Sequence, residues 1–220
     1  RIPLIYLCEK EYQSNDWIID SESFEWRLKR FGDITISLIL LIISGPIIII
    51  ASFIIKIEDR GPVFYNQIRT GLGGKEFKIT KLRTMKTMSE KNGPVWATKD
   101  DNRITKIGSI LRKTRIDELP QLLSVLKGDM SLIGPRPERP EIEILLKRNI
   151  PYYDLRKVIR PGLSGWAQVN YPYGASLKDS ENKLSYELFY IRNYSFWLDL
   201  LIFIKTIKLI FNMKGSSPNK

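Results

Sequence analysis

The sequence predicts an α+β protein, in which a mainly helical domain with a small β-hairpin is joined to one long apolar helix. Three observations support this prediction. Residues 34–55 form an apolar run without a charge, residues 63–85 contain two strand-like stretches around a glycine-rich turn, and helix patterns begin near residues 104 and 120. The 220 residues are 43% hydrophobic, which is enough apolar material for a core and excludes wholesale disorder.

The charge and composition of the chain exclude several types of catalytic site and indicate the charge of its partner. The chain has 35 Lys and Arg against 24 Asp and Glu, and the resulting net charge of +11 predicts an anionic partner such as phosphate, nucleic acid or lipid headgroups. The absence of histidine excludes Ser-His-Asp and Cys-His catalysis and His-ligated metals. A single cysteine, Cys8, excludes a disulfide framework. Acid–base or nucleophilic chemistry therefore falls to carboxylates, lysine or tyrosine.

The apolar segment is long enough to cross a bilayer, because a spanning helix needs about 20 residues. Ser44-Gly45-Pro46 lies in its middle, where Pro46 lacks an N–H and is expected to break or kink the helix. The Ser44 hydroxyl is then expected to satisfy a freed carbonyl. Basic residues flank both ends, which indicates that both stay in the cytoplasm. A re-entrant helix that dips into one leaflet fits; a kinked transmembrane helix and a buried core helix are the alternatives.

The glycine-rich stretch at residues 70–75 is predicted to be a hairpin turn between strands at residues 63–69 and 76–85. A phosphate-binding loop is the weaker interpretation, because no helix pattern follows. Lys81 and Arg83 are two residues apart on the second strand and therefore on one face. They would direct two cations to one place, unless this face is simply solvated.

An acidic pair precedes Pro120, which is typical of a first helical turn. Asp117 and Glu118 therefore lie near a helix start, where acidic residues often serve only as caps. The surroundings are basic: Arg112 and Arg115 precede the pair, and a stiff Gly-Pro-Arg-Pro turn fixes Arg136 in a manner suited to phosphate. Such a carboxylate is expected to have a low pKa and to bind Mg²⁺ or attack phosphorus.

A series of ordered motifs over residues 27–212 resembles the bacterial sugar transferase family. Its monotopic phosphoglycosyl transferases move a sugar phosphate from a nucleotide sugar to a polyprenyl phosphate. The motifs are Lys29-Arg30-Phe31-Gly32-Asp33, Gln67-Ile68-Arg69-Thr70-Gly71, Phe77-Lys78-Ile79-Thr80-Lys81-Leu82-Arg83, Asp101-Asn102-Arg103, Asp117-Glu118-Leu119-Pro120-Gln121-Leu122, Gly134-Pro135-Arg136-Pro137 and Arg160-Pro161-Gly162-Leu163-Ser164-Gly165-Trp166.

The resemblance implies a two-step reaction. Asp117 would attack the β-phosphorus of a UDP-sugar, expel UMP and carry the phosphosugar covalently until undecaprenyl phosphate accepts it. Glu118 would act as a base or position the acceptor, and Mg²⁺ on the Asp117 carboxylate would offset pyrophosphate charge. The candidates for phosphate and substrate binding are Lys81, Arg83, Arg112, Arg115 and Arg136.

The resemblance also implies a location. The apolar helix would be re-entrant and broken at Ser44 and Pro46, and the active site would face the cytoplasm at the bacterial inner membrane. Many members have adjacent Ser and Pro at the break, whereas Gly45 separates them here. Residues after 170 are similar to longer, exopolysaccharide-type members, for which a homodimer is one option.

These features predict a set of boundaries. Residues 1–28 would be the tail of a preceding region, 29–57 the re-entrant helix, 58–175 the catalytic domain, 176–213 C-terminal amphipathic interfacial helices and 214–220 a tail. For the last apolar helix, which carries Lys205 and Lys208, we expect a position in the membrane interface with Trp197 as an anchor. Docking against an upstream domain is the alternative.

Three rival functions remain open at this stage. A basic nucleic-acid-binding module agrees with the charge, but no motif supports it and the apolar run opposes it. An inactive membrane adaptor is opposed by the intact acidic pair. A conventional glycosyltransferase would release UDP rather than UMP, and Asp100-Asp101 is a poor candidate for its metal motif.

Overall fold

A computed structural model of the chain describes Trp17 and residues 23–87, 101–172, 174 and 176–212. Within these residues the protein is mainly helical with two small sheets, which confirms the predicted α+β class. Of the predicted tails at residues 1–28 and 214–220, residues 1–16, 18–22 and 214–220 lie outside the described residues, and residues 24–28 belong to the first helix. The helices are α1 (Phe24–Glu58), α2 (Lys106–Thr114), α3 (Leu122–Lys127), α4 (Pro140–Asn149), α5 (Trp166–Asn170), α6 (Leu177–Arg192) and α7 (Phe196–Phe211). The strands are β1 (Phe64–Thr70), β2 (Glu76–Leu82), β3 (Ser131–Ile133) and β4 (Gly162–Ser164).

The predicted hairpin is confirmed. Strands β1 and β2 pair antiparallel from Phe64 opposite Leu82 to Thr70 opposite Glu76. A short 3₁₀ turn, Leu72–Gly74, joins them, with Gly73 and Gly74 at positive φ, which glycine adopts without strain. The hairpin packs on the 3₁₀ segment Ile116–Gln121, which carries the acidic pair. It therefore forms one wall of the candidate site.

A second, parallel sheet holds the Gly-Pro-Arg-Pro turn. Strand β3 runs beside β4, and the Gly134 N–H donates to the Ser164 carbonyl at 2.9 Å. A Cβ on Gly134 would lie 2.5 Å from the Arg160 carbonyl oxygen, so this close approach requires glycine. The turn that follows β3 is thereby fixed to the core.

Helix α1 differs from the expectation at its centre. The helix runs from Phe24 to Glu58 with Pro46 inside it, so of the predicted break or kink at Ser44 and Pro46 the break is absent, and the kink stays a prediction. Pro46 removes one backbone hydrogen bond, but long apolar stretches on both sides continue the helix. The Ser44 hydroxyl is buried and has no hydrogen-bond partner among the described residues, so its expected bond to a freed carbonyl is absent there.

The exposed and buried faces of α1 are inverted relative to a helix of a soluble protein. Its buried residues are small or polar in the first two-thirds and apolar near the end: Asp33, Ser37, Ser44, Ala51 and Ile55. Large apolar side chains are exposed along the rest of the helix, among them Ile42, Ile43, Ile49, Ile50 and Phe53. Among the described helices, α1 is long and apolar enough to cross a membrane, and only 17% of its most apolar 18-residue stretch is buried. This pattern supports membrane association.

The two C-terminal helices differ from each other. Helix α6 lies in the core, with Leu184 and Leu188 fully buried, so the expectation of an interfacial helix is wrong for α6. Helix α7 buries Ile202 but leaves Phe196, Trp197 and other large apolar side chains exposed, as an interfacial helix would. Lys205 turns away from any headgroup: its Nζ donates to Asn170 Oδ1 at 2.7 Å and lies over the Trp166 ring.

Candidate active site

A sharp change of direction places the acidic pair. Arg115 adopts the left-handed conformation (φ 59°) where α2 ends, and the chain turns into the 3₁₀ segment Ile116–Gln121. Asp117 and Glu118 lie in the first turn of that segment and are buried. Helix α3 begins only at Leu122, so the expected α-helical cap is a 3₁₀ turn instead.

Glu118 is the centre of a cluster of cations. Its Oε1 accepts from Arg136 Nη2 at 2.6 Å and from Lys81 Nζ at 3.0 Å, and its Oε2 lies 3.6 Å from Arg115 Nη1. Burial raises the pKa of the Glu118 carboxyl, but these three cations outweigh burial and hold the pKa well below its usual range. Glu118 is therefore ionised at neutral pH and is a poor proton acceptor.

Asp117 has a different environment. Its Oδ1 is buried and has no hydrogen-bond partner among the described residues. Burial and then the neighbouring Glu118 charge raise the pKa of Asp117 to about 6, against the opposing effects of Lys81, Arg112 and Arg115. The expected low pKa is therefore wrong for Asp117 and holds for Glu118. Asp117 remains mostly ionised at pH 7, with an oxygen that receives no hydrogen bond from any described residue.

Arg112 approaches the pair from α2. Its Nε donates to Thr84 Oγ1 at 2.9 Å, which fixes the side chain at the end of the hairpin. Gly108, one turn earlier, lets α2 lie directly on the backbone of Thr84, since a Cβ there would collide with the Thr84 carbonyl. The Thr105 N–H donates to that same carbonyl at 3.0 Å. The hairpin and α2 thus meet at Thr84 and together present Arg112 to Asp117.

Arg83 lies elsewhere. Its Nη2 donates to the Asp59 carbonyl at 2.6 Å and lies 3.3 Å from the Asp59 carboxylate, and its Nη1 donates to Thr87. The prediction that Lys81 and Arg83 serve one place is therefore wrong. Strand β2 ends at Leu82, so the alternation that would put both on one face does not extend to Arg83. Arg83 holds the end of α1 against the domain.

A buried ion pair behind Arg136 was not among the predicted site residues. Arg156 Nε and Nη2 donate to the two carboxylate oxygens of Glu187, at 2.8 and 2.9 Å, and Arg156 Nη1 donates to the Tyr153 hydroxyl at 3.0 Å. Thirty-one residues separate the pair, so no local motif reveals it. One signal exists: Glu187 interrupts the apolar face of α6 beside Leu184, Leu188 and Ile191, and buried carboxylates are usually paired.

The residues present fit a divalent cation only in part. No group of three or more Asp, Glu, Cys or His side chains that could hold a metal occurs in the portion of the chain described by the structure. The open oxygen of Asp117 is a suitable single ligand, because Mg²⁺ commonly takes one or two carboxylates and the remaining ligands from substrate phosphates and water. The described residues therefore offer a divalent cation one unpartnered carboxylate oxygen, and its other ligands would have to come from substrate or water.

Comparisons with known proteins identify the family of this chain. A family model described as bacterial sugar transferase matches residues 24–213. The UDP-N-acetylgalactosamine-undecaprenyl-phosphate N-acetylgalactosaminephosphotransferase of Aeromonas hydrophila is 44% identical over 189 residues, which cover 86% of this chain and 45% of that protein. The UDP-glucose:undecaprenyl-phosphate glucose-1-phosphate transferases of Klebsiella pneumoniae and Caulobacter vibrioides are each 40% identical over 181 residues.

The Klebsiella and Caulobacter matches cover different fractions of the two relatives' lengths. Each covers 81% of this chain, but 39% of the Klebsiella protein and 68% of the Caulobacter protein. The chain thus spans less than half the length of the Aeromonas and Klebsiella relatives. The family model, by contrast, covers nearly the whole chain, including α1, the acidic pair and the Gly-Pro-Arg-Pro turn. The chain belongs to the bacterial sugar transferase family.

Proposed function

We propose that this chain transfers a sugar 1-phosphate from a UDP-sugar to undecaprenyl phosphate and releases UMP, through a covalent phosphosugar on Asp117. The observation that carries the proposal is the asymmetry of the acidic pair. Glu118 binds two cations directly, whereas Asp117 keeps a buried oxygen that has no hydrogen-bond partner among the described residues. The relatives are named for undecaprenyl-phosphate sugar-phosphate transfer, which supports the same donor and acceptor classes here.

In the first step, an Asp117 oxygen attacks the β-phosphorus of the donor. The new oxygen–phosphorus bond forms as the bond from that phosphorus to the bridging oxygen breaks, and UMP departs with the bridging oxygen and its electron pair. The charges of Lys81, Arg112 and Arg115 act on the Asp117 carboxylate, and Arg136 binds the adjacent Glu118. These cations would offset the charge of the diphosphate. In the second step, a phosphate oxygen of the lipid attacks the same phosphorus and Asp117 leaves.

The proposed cofactor is Mg²⁺, with the open oxygen of Asp117 as its protein ligand. When bound, the ion would withdraw charge from the diphosphate and stabilise the departing UMP. The chain itself supplies the orientation. Burial of the pair excludes water from the carboxylate, and the fixed cations define where a phosphate oxygen can lie.

For Glu118 we favour positioning over a role as a base. A carboxylate that is held ionised by Arg136, Lys81 and Arg115 takes up a proton only at acidic pH. The same contacts hold three cations at one point beside Asp117. Undecaprenyl phosphate carries its own ionised phosphate oxygen, so the second step needs orientation more than proton removal.

The contacts of α1 support the proposed membrane placement. Near its start, Lys29 pairs with Asp199 at 2.7 Å and Asp33 Oδ1 accepts from the Leu132 N–H at 3.1 Å. At its end, Glu58 Oε1 accepts from the Ile107 N–H at 3.3 Å. Both ends of the helix therefore contact the same domain. These contacts support a re-entrant position, which also requires α1 to bend at Pro46 so that the chain returns to the same leaflet. The active site would then lie on the cytoplasmic face of the inner membrane, with α7 in the interface.

The deciding experiment identifies the released nucleotide. The full chain in bilayer nanodiscs is incubated with Mg²⁺, undecaprenyl phosphate and, in turn, UDP-glucose, UDP-galactose and UDP-N-acetylgalactosamine. We expect UMP with one of these donors, together with a diphosphate-linked lipid sugar. Release of UDP would identify a conventional glycosyltransferase instead. No product with any donor would indicate a donor outside this panel or a required region outside this chain before it indicated an inactive adaptor.

The covalent step has a separate test that needs no acceptor. Labelled UMP should exchange into the UDP-sugar with the wild-type chain, because formation of the phosphosugar on Asp117 is reversible. Asp117→Asn should abolish the exchange, since an amide is a poor nucleophile. Exchange at the wild-type rate in Asp117→Asn would exclude Asp117 as the carrier.

A further inference from the structure

The backbone of Arg136 is held from behind by a buried ion pair. Arg156 Nη2 donates to the Arg136 carbonyl at 2.5 Å, and the Arg136 N–H donates to Glu187 Oε1 at 3.3 Å. The backbone N–H and C=O of Arg136 are thus both hydrogen-bonded, to Glu187 and to Arg156, and these two side chains also bind each other. Arg156 and Glu187 are 8% and 6% exposed, so solvent does not compete strongly for these bonds.

The ion pair is itself fixed on two sides. Glu187 lies on α6 between the fully buried Leu184 and Leu188. Arg156 lies in the 3₁₀ segment Tyr153–Lys157, and its third nitrogen donates to the buried Tyr153 hydroxyl at 3.0 Å. Neighbouring carboxylates, Glu187 foremost, raise the pKa of the Arg156 guanidinium above its ordinary value despite burial, so its charge is permanent.

The front of Arg136 faces the acidic pair. Its Nη2 donates to Glu118 Oε1 at 2.6 Å, although its side chain is 34% exposed. A partly exposed arginine side chain has considerable rotamer freedom, which the bond to Glu118 restricts at the guanidinium end and the ion pair restricts at the backbone end. Two anchors, one at each end of the residue, therefore define the position of the guanidinium beside Asp117.

We propose that Arg156 and Glu187 are positioning residues, which act through the backbone of Arg136 to hold its guanidinium at the reacting diphosphate. This inference rests on the proposed function. Neither residue contacts the reacting atoms. Glu187 on α6 and Arg156 in the segment 153–157 would affect the rate only by fixing the position of Arg136. A misplacement of about 1 Å at such a group costs up to roughly 100-fold in rate.

The test is a double-mutant cycle with Glu187→Gln and Arg136→Gln, measured as kcat/KM for UMP release. Glu187→Gln alone should lose about 10–100-fold. In the Arg136→Gln background it should lose less than about threefold, because the group that it positions is already absent. An equal loss in both backgrounds, or wild-type kcat/KM in Glu187→Gln, would overturn the proposal.

Asp199→Asn serves as the matched control. It removes another buried ion pair, with Lys29, on the neighbouring helix α7, and we expect near-wild-type kcat/KM below its melting temperature. If Glu187→Gln fails to fold, Tyr153→Phe provides a milder version, since it removes only one hydrogen bond of Arg156. It should give a smaller loss that again disappears in the Arg136→Gln background.

A measurement without substrate separates this proposal from the proposed function. In ¹⁵N-arginine spectra of the chain in nanodiscs, the Arg136 side-chain signals, identified with Arg136→Lys, should be resolved in the wild type. They should become averaged in Glu187→Gln and stay resolved in Asp199→Asn. Retention of resolved signals in Glu187→Gln would overturn the positioning role even if UMP release is confirmed. Absence of UMP release from the wild type would reject the proposed function, but the NMR comparison would still show whether Glu187 fixes Arg136.

Discussion

Asp117 and Glu118 are neighbours in the chain, yet their pKa values move in opposite directions. Arg136 Nη2 and Lys81 Nζ approach Glu118 at 2.6 and 3.0 Å, while Asp117 Oδ1 receives no hydrogen bond from the described residues. Burial therefore dominates at Asp117, and cations dominate at Glu118. The pair combines a fixed, permanently ionised carboxylate with an open one whose protonation changes near physiological pH.

The first prediction concerns the acid limb of the pH profile. Only ionised Asp117 is a nucleophile, so activity should fall as the pH decreases through about 6 and the carboxylate takes up a proton. The logarithm of kcat/KM for UMP release, which reports the free enzyme, should decline with a slope near 1 below that pH. A profile that stays flat down to pH 5 would contradict the raised pKa of Asp117.

Removal of the Glu118 charge should shift the acid limb of the pH–activity profile. Glu118→Gln eliminates the like charge that, after burial, raises the pKa of Asp117, and it leaves the nearby cations in place, so the acid limb should shift to lower pH. The maximal rate should fall because Arg136 loses its anchor. Glu181→Gln, which breaks an exposed pair with Lys178, is the control and should leave the profile unchanged.

Two arginines that look alike in the sequence should behave differently. Arg112→Gln should lower kcat/KM by at least 10-fold with little change in melting temperature, because Arg112 is directed to the acidic pair. Arg83→Gln should lower the melting temperature and leave KM for the donor unchanged, because Arg83 binds Asp59. Thermal scans and steady-state kinetics on both variants distinguish the roles. A specific loss of donor affinity in Arg83→Gln would place Arg83 back in the site.

Gly108→Ala should damage the site without touching a charged group. A Cβ at this position collides with the backbone of Thr84, which cannot move aside as a flexible side chain could. We expect a destabilisation of about 1–3 kcal/mol, measured by thermal denaturation, with loss of activity as α2 and Arg112 shift. Gly32→Ala in α1 is the matched control, since nothing lies within 4 Å of its Cβ, and it should be neutral or slightly stabilising.

The topology of α1 is testable by cysteine accessibility in a Cys8→Ser background. Phe31→Cys and Ile57→Cys introduce thiols at exposed positions near the two ends of the helix. Both should react with a membrane-impermeant maleimide from the cytoplasmic side. Ile43→Cys, in the exposed apolar centre, should react only after detergent is added. Labelling of the two end positions from opposite sides would show a transmembrane helix.

Local sequence patterns were sufficient to predict the hairpin and the cations around the acidic pair. The glycine-rich turn between strand-like stretches predicted the β1–β2 hairpin, and Arg112, Arg115, Lys81 and Arg136 do gather around the acidic pair. The family resemblance supplied the order of the motifs. The helical break at Pro46 was not found, because local loss of one hydrogen bond is outweighed by the apolar stretches and tertiary contacts on either side.

Other features depend on tertiary contacts that no local pattern contains. The pKa of Asp117 is set by its burial and by which carboxylate receives the cations, and the sequence presents the two carboxylates as equivalent. Arg83 and Lys81 diverge because strand β2 ends between them. The Arg156–Glu187 pair joins two distant segments, so only the folded chain shows that both contact the backbone of Arg136.

The exposed apolar side chains of helix α1 make the chain difficult to keep soluble in water. Deleting the helix to obtain a water-soluble domain would uncover Leu82 and Leu111, which pack against Ala51 and Ile55, and would take from the Leu132 N–H its acceptor, Asp33. A truncated domain would therefore tend to aggregate. A better route keeps the helix and replaces outward-facing side chains such as Ile42, Ile49 and Phe53 with polar ones, because the face that contacts the domain is already small and polar over much of its length.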